Sequence, residues 1–284
     1  MATVAFFGVG TMGLPTVLNL LKAGHSVHTW IHHAKEGPEE AARHGAILDA
    51  SPEQAVADAD FIFSIVSDDK AVHDLLLRES MRKAVKPGAI IIEMTTCSPA
   101  CVIDVQNYYA EKGVHVIDAP VTGGLRGAIA GEMIVIGAGA PEDFAKADCV
   151  LKPITKMVFN FGAVGNGKLV KAMTNLLGAV NMAALGEFYR GLAGRGLDMQ
   201  QLQELMPYCA GGSVQARNNL KPLIEDCHLP ASFKLHLMRK DMGLGLNEIR
   251  GQFHPLFDLA YQLYQNATPY DEENMSAIVK VDHI

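Results

Sequence analysis

The chain has 284 residues, of which 49% are hydrophobic and 19% charged, and its formal net charge is −7. This length favours two domains, and this composition is typical of a globular chain rather than a disordered one. The acidic balance, without any run of basic residues, excludes a charge-driven nucleic-acid surface. We therefore expect no nucleic-acid partner.

Cysteine and histidine usage argues against metal and disulfide chemistry. The five cysteines are odd in number and form no C-x-x-C pair, and the histidines include no H-E-x-x-H motif. We expect free thiols, a reducing compartment and no bound metal. No window is typical of a signal peptide or a membrane span, so the sequence predicts a cytoplasmic protein without a membrane partner.

Strand and helix signals alternate up to about residue 162. Apolar runs and period-two alternation predict strands at residues 3–7, 26–30, 61–66, 89–93, 114–118, 133–137 and 157–161. Between them, residues 14–23 show helical spacing, and Ser-Pro pairs at Ser51 and Ser98 are typical of helix starts. Such alternation implies parallel strands joined by right-handed crossovers. We therefore predict an α/β fold whose N-terminal domain, residues 1–162, is a doubly wound sheet of the Rossmann type.

From residue 163 onward the pattern becomes helical. Helices are predicted at residues 170–192, 198–206, 213–224, 231–249, 255–265 and 275–279. Residues 163–284 are accordingly expected to form an all-α domain. The helix near 168–192 is too uniformly nonpolar to be solvated, so we expect it to be buried in the fold or shared with a partner subunit.

A glycine-rich turn lies between the first predicted strand and the first predicted helix. In that context the G-x-G-x-x-G spacing indicates dinucleotide binding, although an ordinary glycine-rich connection is the alternative. Gly8 permits a tight turn, Gly10 lets the backbone approach a pyrophosphate, and Gly13 lets the helix pack closely on the strand. The predicted cofactor-binding residues of this turn are Gly8, Val9, Gly10, Thr11, Met12 and Gly13.

A second stretch, Thr122-Gly123-Gly124, follows the predicted strand 114–118. Two glycines behind a hydroxyl leave backbone amides exposed, which suits a carboxylate ligand. From the spacing alone, a flexible turn without a ligand is as well supported as a carboxylate-binding loop.

Two further stretches combine lysine with amide or carboxylate residues. Lys171 and Asn175 are four residues apart, so both project from one face of an otherwise apolar helix. Packing does not explain them, and a buried lysine can act as a general acid or base. Lys240 and Asp241 are adjacent on another predicted helix, where the pattern alone favours an exposed ion pair.

Taken together, these stretches resemble the β-hydroxyacid dehydrogenases, the family of 3-hydroxyisobutyrate dehydrogenase and tartronate semialdehyde reductase. The resemblance extends over nearly the whole chain, and its motifs occur in the family's order. They are the turn at 7–13 with its continuation to 25, the loop at 118–124, Gly165-x-Gly167-x-x-x-Lys171 with Asn175, and the element at 233–241. The loop carries Thr122 where serine is commoner in the family.

The resemblance implies hydride transfer between a nicotinamide cofactor and a small β-hydroxyacid or aldehyde acid. Lys171 would be the general acid or base, and Asn175 would orient the hydroxyl or carbonyl of the substrate. Thr122, Gly123 and Gly124 would hold its carboxylate. Further cofactor contacts would come from Val66, Ser67, Asp68, Thr96 and Lys240. The family also implies a homodimer or homotetramer with the helical domains at the interface.

Departures from related families leave alternatives open. In 6-phosphogluconate dehydrogenases, an acidic residue seven positions after the lysine serves an oxidative decarboxylation. Gly178 stands at that position in this chain, so oxidative decarboxylation is not expected. Imine or keto reductases of the same fold are an alternative, but the imine reductases usually replace Lys171. Thr174 stands where many members carry asparagine, so the substrate preference is expected to be unusual. A dinucleotide sensor without turnover is a second alternative, although it would not need Lys171.

The choice of cofactor is predicted from the end of the second strand. NAD-preferring sites usually place an acid there, whose carboxylate binds the ribose hydroxyls. This strand ends Thr29-Trp30-Ile31-His32-His33, with no acid before Glu36. The sequence therefore favours NADP, with NAD tolerated, and His32 is the expected contact to the 2′-phosphate.

Overall fold

The computed structural model describes residues 1–281. The chain divides into two compact units, Met1–Lys171 and the residues from Ala172 onward. The first unit combines helices with parallel strands, and the second is helical. The predicted order of an α/β domain and an all-α domain is therefore confirmed. The predicted boundary between residues 162 and 163 stays a prediction.

Six parallel strands form the main sheet of the first unit. They are β1 (Thr3–Phe7), β2 (Ser26–Trp30), β3 (Ile47–Asp49), β4 (Phe61–Ser64), β5 (Ile90–Glu93) and β6 (His115–Asp118). Their order in the sheet is β3-β2-β1-β4-β5-β6. Strands β2 and β3 therefore lie on one side of β1, and the strands from β4 onward lie on its other side, so the strand order reverses between β1 and β4. Ligands of doubly wound sheets bind beyond the carboxyl ends of the strands at such a point.

Eight helices flank these strands. They are α1 (Gly13–Lys22), α2 (Glu36–Arg43), α3 (Pro52–Val56), α4 (Asp69–Leu76), α5 (Glu79–Ala84), α6 (Pro99–Ala110), α7 (Gly124–Ala130) and α8 (Pro141–Leu151). Strand β1 is continuously apolar because both of its faces are buried. Val4 and Phe6 belong to one buried core, and Ala5 and Phe7 belong to the core on the opposite face. A strand covered on both faces has no polar side.

The last strands of the first unit form a separate small sheet. It contains β7 (Val121–Thr122), β8 (Met133–Gly137) and β9 (Thr155–Asn160), with β7 antiparallel and β9 parallel to β8. Strands β8 and β9 were predicted, but as members of the main parallel sheet. Strand β7 was not predicted, because two residues are too short to show an alternating pattern.

The second unit is built from helices around one core. Helix α9 (Asn166–Leu192) begins in the first unit and continues into the second; α10 (Met199–Leu205), α11 (Val214–Ile224), α12 (Leu235–Glu248) and α13 (Pro255–Asn266) follow. The final predicted helix is a 3-10 segment, Met275–Lys280. Helix α9 starts before the predicted residue 170, and α12 starts after the predicted residue 231.

Helix α9 is the one helix of residues 1–281 that is long and apolar enough to cross a bilayer. Length and composition are weak criteria, since a core helix of a soluble protein also meets them. In this chain, 44% of its most apolar window is buried in the fold. Its first turn also takes part in buried ion pairs, described below. We therefore treat α9 as a core helix of the fold that keeps part of its apolar surface exposed.

Candidate active site

The glycine-rich turn packs with its backbone against two neighbouring segments. A Cβ on Gly8, whose φ is +88°, would lie 2.0 Å from the backbone oxygen of Ile65. A Cβ on Gly13 would lie 2.0 Å from the oxygen of Gly8, and one on Gly37 in α2 would lie 1.7 Å from the oxygen of Val9. Backbone atoms cannot give way by such distances, so only glycine fits these positions. Gly8 and Gly13 were predicted from the sequence, and Gly37 was not.

Gly10 differs from these glycines because its outer side is open. A Cβ built there would meet no atom of the described residues within 4 Å. Helix α1 starts directly behind it, and no side chain of residues 1–281 caps the helix at Met12. Uncapped amides at a helix start attract anionic groups. The turn therefore has the space and the donors that a pyrophosphate requires.

A cleft of about 640 Å³ lies along this turn and the loop after β4. The predicted cofactor residues that line it are Gly8, Val9, Gly10, Thr11, Met12, Gly13, His32, Val66, Ser67 and Asp68. Thr96 is half-buried and is not among the lining residues. Lys240 lies in the second unit, on α12. The structure thus gathers most of the predicted residues in one cleft of suitable size, and their roles stay predictions.

One end of the cleft carries charged side chains that were not predicted from the sequence. Besides His32 it is lined by Lys70, Asp74 and Arg78, which come from α4 and the residue capping α5. Asp74 is paired with Lys70. Burial, the neighbouring His33 and the Arg78 guanidinium lower the pKa of His32 from its usual 6.5, and Asp74 opposes them. In the linear sequence only His32 marks this end, because the other residues lie about 40 positions later.

The loop after β4 is held by local hydrogen bonds. The Asp68 carboxylate accepts from the amide of Ala71 at 2.8 Å and thereby caps α4. Ser67 donates its hydroxyl to Asp68 at 3.1 Å, and the amide of Val66 donates to Oγ1 of Thr95 at 3.0 Å. This segment therefore has a fixed backbone where it borders the cleft.

A fully buried ion cluster lies at the carboxyl ends of β5 and β6. It consists of Lys168, Glu93 and Asp118, and we call it the Lys168 cluster. The Nζ atom of Lys168 is 2.6 Å from Oε2 of Glu93 and 3.3 Å from Oδ1 of Asp118, with all three side chains at 0% exposure. It also donates to the backbone oxygen of Glu93 at 2.8 Å. The two carboxylates raise the pKa of Lys168 against the effect of burial, whereas burial raises the pKa of Asp118.

Hydrogen bonds extend the Lys168 cluster into the surrounding strands. Ser64 at the end of β4 and the amide of Thr95 both donate to Oε1 of Glu93, at 3.2 and 3.0 Å. The Cys97 thiol donates to Oε2 of the same carboxylate at 3.6 Å. A hydrogen bond with Cys101, together with burial, raises the pKa of Cys97 and keeps it a neutral donor. The ends of β4 and β5 are thus tied to one carboxylate.

Asp118 connects the predicted substrate loop with the start of α9. Its Oδ2 atom accepts from the amides of Gly165 and Lys168 at 3.0 and 3.1 Å, so the carboxylate caps the helix. The chain leaves Asp118 toward Thr122, Gly123 and Gly124, which are all exposed. The two glycines have φ of 113° and 60°. The backbone amides of this loop are therefore accessible to a ligand.

The predicted proton-transfer residue, Lys171, lies one turn beyond Lys168 on α9. Its side chain is 9% exposed and engaged with other residues. In the second unit, Asn175 donates its amide to Oδ2 of Asp241 at 2.7 Å, and Lys240 lies 3.2 Å from the other carboxylate oxygen. Asp241 is only 2% exposed, so the expectation of an exposed ion pair at Lys240 and Asp241 was wrong for the aspartate. Asp241 instead joins two of the predicted site residues.

One group of potential metal ligands occurs among residues 1–281. Atoms of Asp69, Cys97 and Cys101 lie within 4.8 Å of one another. These side chains are already hydrogen-bonded: Cys97 to Glu93, and Asp69 to Ser98. Three ligands are one fewer than a structural zinc site requires. The expected absence of a metal stays a prediction.

Comparison with known families identifies the two parts of the chain separately. Residues 3–163 match the model described as the NAD binding domain of 6-phosphogluconate dehydrogenase. Residues 165–281 match the model described as NAD-binding of NADP-dependent 3-hydroxyisobutyrate dehydrogenase. Both models together extend over almost the whole chain, in agreement with the order of the sequence motifs.

Individual relatives are similar along their full length. The chain is 33% identical to 3-hydroxyisobutyrate dehydrogenase of Pseudomonas aeruginosa, with 96% of this chain and 95% of the relative aligned. It is 30% identical to 2-(hydroxymethyl)glutarate dehydrogenase of Eubacterium barkeri, with 98% and 94% aligned. The solved structure of 3-hydroxyisobutyrate dehydrogenase from Mycobacterium tuberculosis with L-serine superposes with a TM-score of 0.89, at 28% identity and with 99% and 98% of the chains covered. The chain belongs to the β-hydroxyacid dehydrogenase family and is an NAD(P)-dependent oxidoreductase.

Proposed function

We propose that the enzyme interconverts small acids of the form HOCH₂–CHX–COO⁻ with the corresponding aldehydes, with Lys171 as the general acid or base. The placement of Lys171 carries this proposal. It lies on the first turns of α9, whose start is bound to Asp118. The exposed Thr122-Gly123-Gly124 loop departs from the same aspartate.

The chain supplies binding and proton transfer in this scheme. The amides of the loop and the Thr122 hydroxyl hold the substrate carboxylate, as expected for backbone donors in a tight turn. Lys171 takes the proton of the alcohol during oxidation and returns it to the aldehyde oxygen during reduction. Asn175, held by Asp241, orients that oxygen. The nicotinamide, when bound, supplies or accepts the hydride.

The substrate class is inferred from acids named for three of the similar proteins; L-threonate, named for a further relative, does not have this form. 3-Hydroxyisobutyrate, 2-(hydroxymethyl)glutarate and L-serine are all HOCH₂–CHX–COO⁻ acids that differ only in X. Tartronate semialdehyde is the aldehyde of the same skeleton with X equal to OH. The primary alcohol next to a carboxylate-bearing carbon is therefore the proposed common requirement, and a site of this kind discriminates between acids by the space around X.

Three other functions are less well supported. Imine reductases share this fold, but they usually lack the lysine that this chain keeps at Lys171. A redox sensor would need the cofactor cleft alone and neither Lys171 nor the Thr122 loop. Decarboxylation of 6-phosphogluconate is also disfavoured, because Gly178 stands where that reaction needs an acidic side chain.

We further propose that the enzyme prefers NADP and tolerates NAD. No carboxylate ends β2, and the cleft there is lined by His32, Lys70 and Arg78. Asp74 is the opposing charge, but its carboxylate is already paired with Lys70. Arg78 thus provides the permanent cation that His32, with its lowered pKa, does not provide at neutral pH.

The assembly and location are proposals of the same kind. Apolar side chains are exposed on the second unit, with Leu177 at 53%, Phe188 at 39% and Phe253 at 94%. Such exposure suits burial against a second copy. We propose a homodimer or homotetramer in the cytoplasm, with residues 163–284 at the interface.

The first prediction concerns Lys171. Because it carries the proton, Lys171→Ala lowers kcat by roughly two to four orders of magnitude, the usual range for loss of a general acid or base. Affinity for NADPH, measured by fluorescence titration, stays within twofold. Turnover is measured as NADPH oxidation with a panel of aldehyde acids, and near-wild-type turnover of the variant removes Lys171 from the mechanism.

The control for that experiment has to be chosen from the structure. Lys168→Ala is suggested by the sequence, since Lys168 lies outside the motif position. It is unsuitable, because Lys168 is fully buried and paired with two carboxylates. The exposed Lys152 is the better match, and Lys152→Ala is expected to leave kcat unchanged.

The second prediction distinguishes Gly10 from Gly13 in the turn. Gly13→Ala forces a Cβ to within 2.0 Å of the Gly8 oxygen, which destabilises the protein by about 1–3 kcal/mol, visible as a lower Tm. In Gly10→Ala, the new Cβ has no atom of the described residues within 4 Å, so the Tm is expected to stay unchanged. The added methyl group occupies the space of the pyrophosphate, so NADPH is expected to bind roughly tenfold more weakly or worse. Equal cofactor affinity of Gly10→Ala and wild type would show that the pyrophosphate lies elsewhere.

The third prediction concerns cofactor preference. Arg78→Gln weakens NADP binding and leaves NAD almost unaffected, whereas His32→Asp shifts kcat/KM toward NAD by roughly tenfold or more through repulsion of the phosphate. The advantage for NADP grows as pH falls, because His32 gains a proton, and the gain is complete only below 6.5 since its pKa is lowered. The 2′-phosphate itself is protonated near pH 6, so the pH series is compared with His32→Ala. A wild-type enzyme favouring NAD at every pH contradicts the proposal.

The fourth prediction concerns assembly. Light scattering at micromolar concentration is expected to give the mass of two or four chains. Phe253→Asp places a charge on the exposed apolar surface and shifts the mass toward the monomer. A monomeric wild type at that concentration rules out the proposed oligomer.

A further inference from the structure

The Lys168 cluster has a charge and a position that the proposed chemistry does not use. It holds one ammonium for two carboxylates, with all three side chains at 0% exposure. Burying ions removes them from water at a cost that their mutual attraction often fails to recover, so well-packed apolar residues would stabilise the fold as well or better. Stability alone therefore does not account for an ion cluster at this place.

The cluster joins the starting points of the segments that carry the proposed site. Glu93 binds Ser64 and Thr95 at the ends of β4 and β5, beside the loops with Val66 and Thr96. Asp118 is the residue from which the loop to Thr122 departs. Each of these positions is therefore one to four residues from a proposed contact to cofactor or substrate.

The same cluster fixes the first turn of α9 in two ways. The side chain of Lys168 is held by Glu93 and Asp118, and the backbone amide of Lys168 is held by Asp118. Gly167 brings the helix backbone so close that a Cβ there would lie 2.5 Å from the oxygen of Ile136. The helix consequently cannot slide or rotate at this end without breaking buried ion pairs.

We propose that Lys168 is a positioning residue: its ion pairs with Glu93 and Asp118 hold the first turn of α9 in register with the ends of β5 and β6, and thereby place Lys171 for proton transfer. Lys171 follows Lys168 by three residues, and residues at this spacing are neighbours on a helix surface. This inference rests on the proposed role of Lys171. Displacement of a reacting group by about 1 Å costs up to roughly 100-fold in rate, so the register of α9 matters for catalysis.

The test uses a variant that keeps the charge of the cluster unchanged. Lys168→Met alone leaves two buried carboxylates facing each other, and that variant can fail to fold. Lys168→Met combined with Glu93→Gln removes one cation and one anion, so the net charge of the cluster is preserved while the ion pairs are lost. Glu93→Gln alone keeps Lys168 paired with Asp118 and serves as the milder second variant. Lys152→Met is the matched surface control.

The double variant is expected to fold, to bind NADPH with the wild-type Kd, and to keep KM for the aldehyde acid within about threefold. Its kcat falls by roughly 10- to 100-fold, because Lys171 is no longer held in place. Proton transfer then limits the rate, so the solvent deuterium isotope effect on kcat increases relative to wild type. Glu93→Gln shows the same changes in smaller size, and Lys152→Met shows none.

Two results overturn the inference. A folded double variant with wild-type kcat shows that the ion pairs do not place Lys171. A fall in kcat that matches the loss of folded protein, without a change in the isotope effect, shows a purely structural role. Failure of the proposed function is distinct from both, since it appears as near-wild-type turnover of Lys171→Ala whatever the Lys168 variants do.

Discussion

Burial of the Lys168 ammonium between Glu93 and Asp118 is the constraint that joins the carboxyl ends of β5 and β6 to the start of α9. The carboxyl ends of parallel strands bring polar loops to one edge of a sheet, but they do not by themselves fix those loops relative to a helix that follows later in the chain. Here one cation is shared by residues of β5 and β6, and Ser64 of β4 binds the same Glu93. The edge of the sheet and the start of α9 therefore form one connected structure.

Much of the fold could be predicted because its signals are local. The turn from Gly8 to Gly13 lies between an apolar strand and an amphipathic helix, and the structure shows the close backbone approaches that Gly8 and Gly13 were expected to permit. Strands β1, β2 and β8 occur at their predicted residues. Helices opened by Ser51 and Ser98 were also predicted, since a capping side chain followed by proline acts within one turn.

The remainder depends on contacts between distant residues, which no local pattern reveals. Lys168 is 75 positions from Glu93, and in the sequence it resembles any lysine on a helix. Arg78 lines the cleft from the position before α5, in a stretch that carries no family motif. Asp241 was predicted to be exposed because Lys240 is its neighbour in the sequence. Its burial is set by packing within the second unit. The separate sheet of β7, β8 and β9 arises because β8 pairs with β7 and β9 and not with the main sheet.

The contact between Gly37 and the backbone of Val9 has a consequence for how this cleft can change. It fixes α2 on the glycine-rich turn, while β2 is fixed in the sheet. The segment with His32 is thus a short span attached at both ends to packed parts of the fold. Side chains along it can be exchanged freely, but an added or removed residue would displace α2 and with it the turn at Val9. On the proposed role of His32, a change between the two nicotinamide cofactors would proceed by substitution in this segment, at constant loop length.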